Sequence, residues 1–211
     1  MREYRTPNPT GVLVIIFVNV LVFIVTQLQP DLVLDRFHPD AFHLGLHPET
    51  FASEPWTVVT SLFVHSDFFH ILSNMVTLYF FGTYLTTLVG ETKFFITYFL
   101  GGLLGSVFYL LWALYAPAPW GDPDTVAIGA SGAVFAVGGA LAVLRPNLKV
   151  LMFFIIPMPL WVAVIGGFVL LTLISAGLNI AWEAHLGGLV LGLIAGFLFT
   201  RKKRGRDRYL L

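Results

Sequence analysis

Ser131 is the one serine in the apolar stretch 126–143, where it sits inside Gly129-Ala130-Ser131-Gly132. A serine hydroxyl is a weak nucleophile until a base comes within hydrogen-bond reach. His185, in a second apolar stretch, is the residue type for that task. It can accept the hydroxyl proton and later return it to a leaving amine. Acyl transfer also needs donors aimed at the developing oxyanion. His70 and Asn74 lie four positions apart, so they share one helix face. Together with the Ser131 backbone N–H they are donors of the right kind. No acidic residue lies deep in an apolar run, and Glu183, two positions from His185, is off its helix face. The pattern therefore predicts a Ser-His dyad and not a triad.

For such residues to meet, the segments that carry them must approach closely. Gly188, Gly192 and Gly196 follow His185 at four-residue intervals, which makes a seam of small residues along one helix face. Gly129, Gly132 and Gly139 are expected to face that seam from the serine-bearing segment. Structural use is the competing explanation for each polar residue. His185 could tie two helices together, and Asn19, inside the first apolar run, reads as helix-to-helix glue.

The chain has 211 residues, 57% of them hydrophobic and 11% charged, with a mean hydropathy of +0.82. Soluble domains carry about 25% charged residues, so the composition points to an integral membrane protein. Alternating short segments of the β-barrel type are absent. The expected fold is an all-α polytopic bundle forming a single domain over residues 1–211. Its six spans are expected near 11–28, 68–89, 94–115, 126–144, 150–176 and 181–200. The first span is read as retained rather than as a cleaved signal peptide. Residues 29–64 form a long insert, divided by Pro30, Pro39, Pro48 and Pro55 and expected to hold short interfacial helices. Pro157 and Pro159 are expected to kink the fifth span near its start.

Charge sets the expected topology. With the amino terminus inside, the inner segments hold 11 of the 12 basic residues and 3 acidic ones. The outer segments hold Arg36 alone, against nine acidic residues from Asp31 to Glu183. Both termini are thus expected to be cytoplasmic, with His70, Ser131 and His185 all near the outer ends of their spans. The basic tail after Thr200 reads as a topology anchor against anionic lipid and gives no sign of nucleic-acid binding. Without cysteine, thiolate chemistry and disulfides are excluded. His38, His43 and His47 look like a cluster, but their spacing crosses a proline and no carboxylate pattern completes it. They are expected to be exposed interfacial histidines, with no metal and no cofactor.

The motifs taken together resemble the rhomboid family of intramembrane serine proteases, over nearly the whole chain. Gly129-Ala130-Ser131-Gly132 is similar to that family's Gly-x-Ser-Gly. His70-Ile71-Leu72-Ser73-Asn74, preceded by His65, is similar to its His-x-x-x-Asn, and Ala184-His185 with Gly188 and Gly192 to its last motif. The resemblance implies Ser131 as nucleophile, His185 as general base, and His70, Asn74 and the Ser131 N–H as the oxyanion site. It implies that Phe135 packs on the catalytic histidine and that the insert is a lateral loop half embedded in the outer leaflet. The implied substrates are transmembrane proteins, cut in or near their spans at a site open to the extracytoplasmic side. The expected setting is a multi-pass position among the lipids of a cell membrane, that of a prokaryote. Two positions depart from the family pattern: Thr57 follows Trp56 where an Arg is common, and Thr86 stands where a Glu is common. The alternatives are an inactive rhomboid-like adaptor and a small transporter. The absence of an internal inverted repeat and of an intramembrane acidic relay argues against the transporter.

Overall fold

The computed structural model describes residues 9–33, 43–117, 124–152, 155–178 and 180–208. Its main elements are α1 (Thr10–Leu28), the single-turn α2 (Thr57–Thr60), α3 (Phe68–Val89), α4 (Glu91–Tyr115), α5 (Ser131–Leu144), α6 (Leu160–Leu178) and α7 (Trp182–Arg208). A short antiparallel hairpin, β1 (Lys149–Met152) with β2 (Ile156–Pro159), lies between α5 and α6.

Among the described residues, three helices are long and apolar enough by themselves to cross a membrane: Thr10–Leu28, Glu91–Tyr115 and Trp182–Thr200. The other three expected spans fall outside that group for different reasons. With 22 residues α3 has the length, but His70, Ser73, Asn74 and four threonines dilute its apolar character. α5 has only 14 residues, about 21 Å of helix. α6 starts only after the hairpin, and of its 19 residues Leu160–Ser175 make the apolar stretch.

That hairpin corrects the expected fifth span. Pro157 and Pro159 do not kink a helix. They belong to β2, where Pro157 pairs with Leu151 and Pro159 with Lys149. The helix begins only at Leu160, whose N–H bonds the Leu148 carbonyl at 2.7 Å. Proline cannot donate to a helix but is tolerated in an edge strand.

α5 is the axis of the bundle. Every residue from Ala136 to Ala142 is buried, as expected of a helix that is apolar all round. α3, α4, α6 and α7 pack about it. Large side chains from α3 and α4, among them Leu78, Leu85, Phe94 and Tyr98, fill the core beside Val12 and Ile15 of α1. Asn19 is buried, but its amide donates to the Ile15 carbonyl at 2.8 Å, a bond within α1 itself.

The described part of the insert is tied down by buried polar groups. His43 Nδ1 lies 2.8 Å from Glu54 Oε1, and Trp56 Nε1 donates to the His43 carbonyl at 2.8 Å. Thr60 Oγ1 donates to the Leu44 carbonyl, also at 2.8 Å. His43 and His47 are buried, contrary to the expected exposure, because Glu54 and the Glu49 amide satisfy one nitrogen of each ring. His38 lies outside the described residues. Among those described, no group of three metal-ligating side chains forms.

Candidate active site

Ser131 is the first residue of α5. The segment that delivers it, residues 124–130, is fixed from four directions. Tyr109 of α4 donates its hydroxyl to the Thr125 carbonyl at 2.7 Å. Leu46 and Ala127 exchange two backbone bonds, at 3.1 and 2.9 Å. The Gly129 N–H reaches the Ser61 carbonyl at 2.9 Å, and the Ala130 N–H points to His65 Nε2 at 3.5 Å. Gly129 has φ of +117°, open to glycine at little cost. A Cβ there would also lie 2.6 Å from His70 Nε2. The expected role of Gly129 in the α7 seam is thus corrected: it makes room for the His70 ring.

The seam itself forms between other residues. A Cβ at Gly188 would collide with the Gly132 carbonyl, and one at Gly192 with the Ala136 carbonyl. Gly139 also faces this seam, where a Cβ would lie 3.0 Å from the Leu189 carbonyl, a tight contact and not a collision. α4 joins from the side, where a Cβ on Gly105 would lie 2.7 Å from the Ala184 carbonyl. At this separation His185 Nε2 lies 2.7 Å from Ser131 Oγ. His185 is buried, and the Phe135 ring packs against its imidazole with centroids 4.8 Å apart and planes 32° from parallel. Its Nδ1 is buried without a hydrogen-bond partner among the described residues.

His70 and Asn74 stand on the facing side. Asp67 caps α3 by accepting the His70 N–H at 2.9 Å. The Ser66 hydroxyl, and then that same N–H, hold the Asp67 carboxyl below the usual carboxylate range. The Ser66 amide points at His70 Nδ1 from 3.5 Å, and the Ser66 Oγ lies 3.0 Å from the same atom. Asn74 Nδ2 donates to the His70 carbonyl at 2.9 Å. The His65 ring meets His70 edge to face, centroids 4.9 Å apart. Burial, and next the neighbouring His70 ring, push the His65 imidazole down to about 4, against the opposing pull of the Phe63 carbonyl and Asp67.

Ser131, His185, His70 and Asn74 all line one cavity of about 1320 Å³. It occupies the space between α3 and α6, which meet at most marginally. Sequence reasoning did not assign the anchoring groups: Ser61, Leu46, Tyr109, Ser66 and Asp67. Asp67 alone carried a readable signal, as an N-cap type directly before an apolar helix. The others act through backbone atoms or across long separations that no periodicity marks.

The Rhomboid domain model matches residues 52–202, and the chain belongs to the rhomboid family. It is 39% identical over 165 residues to RHOMBOID-like protein 12, mitochondrial, of Arabidopsis thaliana, covering 72% of this chain and 48% of that one. It is 34% identical over 161 residues to Rhomboid protein 1, mitochondrial, of Saccharomyces cerevisiae, covering 73% and 45%. Putative rhomboid protease YdcA of Bacillus subtilis is 27% identical over 162 residues, covering 72% and 71%. The matched region spans about half the length of the first two relatives. Family and apolar helices together make this an all-α, multi-pass membrane protein of rhomboid type.

Proposed function

We propose that the chain is an intramembrane serine endopeptidase that cuts transmembrane proteins in or near their spans. The observation that carries this reading is the 2.7 Å separation of Ser131 Oγ and His185 Nε2 within the cavity. His185 Nε2 takes the hydroxyl proton as Ser131 Oγ attacks the peptide carbonyl. The tetrahedral intermediate collapses, the C–N bond breaks, and His185 gives its proton to the departing amine. A water, deprotonated by the same nitrogen, then hydrolyses the acyl-enzyme and regenerates Ser131.

The oxyanion would be held by three donors: His70 Nε2–H, Asn74 Nδ2 and the Ser131 N–H. The last is one of the unpaired amides at the start of α5, where the helix dipole also favours negative charge. Asn74 Nδ2 carries two hydrogens, and the one not given to the His70 carbonyl is left to take part. Gly129, Gly132, Gly188 and Gly192 act by permitting the approach of the segments, Phe135 by holding the His185 ring, and His65 by holding Ala130.

In the membrane, α1, α3, α4, α5, α6 and α7 form six spans with both termini on the cytoplasmic side, as the distribution of basic residues favours. The apolar core of a bilayer is about 30 Å thick, whereas α5 covers about 21 Å. Ser131 therefore lies below the outer surface, at the floor of a cavity that water can enter. Irregular backbone, such as 124–130, is tolerated there because it faces protein and cavity. A substrate span must unwind locally, since a helical carbonyl is already bonded.

The test is cleavage of single-span membrane substrates by the purified protein in lipid, with product masses locating the cut. Cleavage by the wild type and none by Ser131→Ala supports the proposal. Cleavage that survives Ser131→Ala, or no cleavage of any substrate by folded wild type, refutes it; the second result favours the adaptor.

A further inference from the structure

The cavity does not end at the level of Ser131. It follows one face of α5 past Phe135 to Gly138, and at its far end it is lined by Val150 and Leu151 of β1. Leu151, Ile155 and Ile156 of the hairpin are each more than half exposed, and Lys149 at the start of β1 is exposed as well. Its position is fixed at both ends. β1 follows directly on the turn after α5, and the Leu148–Leu160 backbone bond closes the hairpin onto the start of α6. One continuous space therefore joins the Ser131–His185 pair to an apolar hairpin.

We propose that this hairpin is a second docking point for the substrate, holding the inner half of the span whose bond lies at Ser131. The inference rests on the protease reading. Gly138 lies seven residues and Leu144 thirteen residues beyond Ser131 in α5, so the hairpin sits roughly 10 to 20 Å further in. A helical substrate covers that depth in about 7 to 13 residues. The chemistry of the hairpin suits such a partner: Val150, Leu151 and Ile156 offer aliphatic side chains and no charge to an apolar helix. Pro157 and Pro159 deprive β2 of two backbone donors, so β1, which lines the cavity, is the strand left able to engage a ligand. The contact selects substrates by what lies well inside the cut and not only by the residues beside it.

The experiment places a photoreactive residue, Leu151→benzoylphenylalanine, in the full chain carrying Ser131→Ala, so that substrate is retained. The protein is reconstituted in lipid with a single-span substrate, and adducts are mapped by mass spectrometry. Phe17→benzoylphenylalanine, on the exposed face of α1, is the control. Adducts concentrated on substrate residues about 7 to 13 positions inward of the cut site, and absent from the control, are the expected result. Adducts with lipid alone, adducts elsewhere on the substrate, or yields equal to the control overturn the inference. Fluorophosphonate labelling of the chain with Ser131 intact separates the two claims. Labelling without the mapped adducts removes the docking point and leaves the protease reading; no labelling removes the protease reading and the docking point with it.

Discussion

Gly188→Ala tests whether helix separation sets the geometry of the Ser131–His185 pair. A Cβ at position 188 would meet the Gly132 carbonyl, a backbone atom that no rotamer change can move aside. α7 must therefore move away from α5 by about 1 Å or more, and overpacking of this kind costs about 1–3 kcal/mol. Position 188 lies three residues after His185 and its neighbour Gly132 lies one residue after Ser131, so the displacement falls directly on the 2.7 Å contact. A misplacement of about 1 Å costs on the order of 100-fold in rate. The assay is the second-order rate of Ser131 labelling by a fluorophosphonate, together with thermal unfolding in the same detergent. The control is Gly166→Ala in α6, where an added Cβ meets nothing within 4 Å; it should leave labelling intact and change stability by about 1 kcal/mol or less. A Gly188→Ala protein that stays folded and labels at the wild-type rate would refute the reasoning.

Three further outcomes are expected. His65 has its pKa lowered to about 4 by burial, so below the ordinary histidine value the unfolded chain binds more protons and stability falls as pH drops from about 6.5 toward 4, by about 2 kcal/mol at pH 5. Protonation also removes the Nε2 acceptor of the Ala130 N–H; unfolding titrations in which His65→Gln keeps the full wild-type slope between pH 7 and 5 would contradict this. Asn74→Ala should slow substrate cleavage about 100-fold through loss of an oxyanion donor while leaving the fold intact, and an unchanged kcat would remove Asn74 from that role. Glu54→Ala leaves His43 buried without its partner and should cost about 1–3 kcal/mol, most of it recovered by Glu54→Gln; equal unfolding temperatures for the two variants would show the pair to be unimportant.

Much of this site could be read from residue types. The serine among glycines, the His-x-x-x-Asn face and the four-residue glycine spacing after His185 are each visible in the sequence, and Ser131, His70, Asn74 and His185 line one cavity. The helix carrying His70 runs over the same residues, 68–89, that its apolar pattern marks. What escaped has physical reasons. The run from Val150 to Met158 is apolar enough to pass for the start of a span, and composition alone cannot separate a buried helix from an apolar hairpin. His43 and Glu54 are eleven residues apart with no regular element between them, so no periodic rule pairs them. Gly129 was assigned to the wrong neighbour because glycine spacing shows where backbones can come close, not which element fills the space.

On the proposed function, Ser131 is a nucleophile activated by His185. The most direct test of this is intact-mass measurement of the protein after exposure to a fluorophosphonate in lipid at neutral pH. The expected result is a single adduct located on Ser131, lost in Ser131→Ala and strongly slowed in His185→Ala. Labelling of Ser131 at the same rate with and without His185, or an adduct on a different residue, would contradict it.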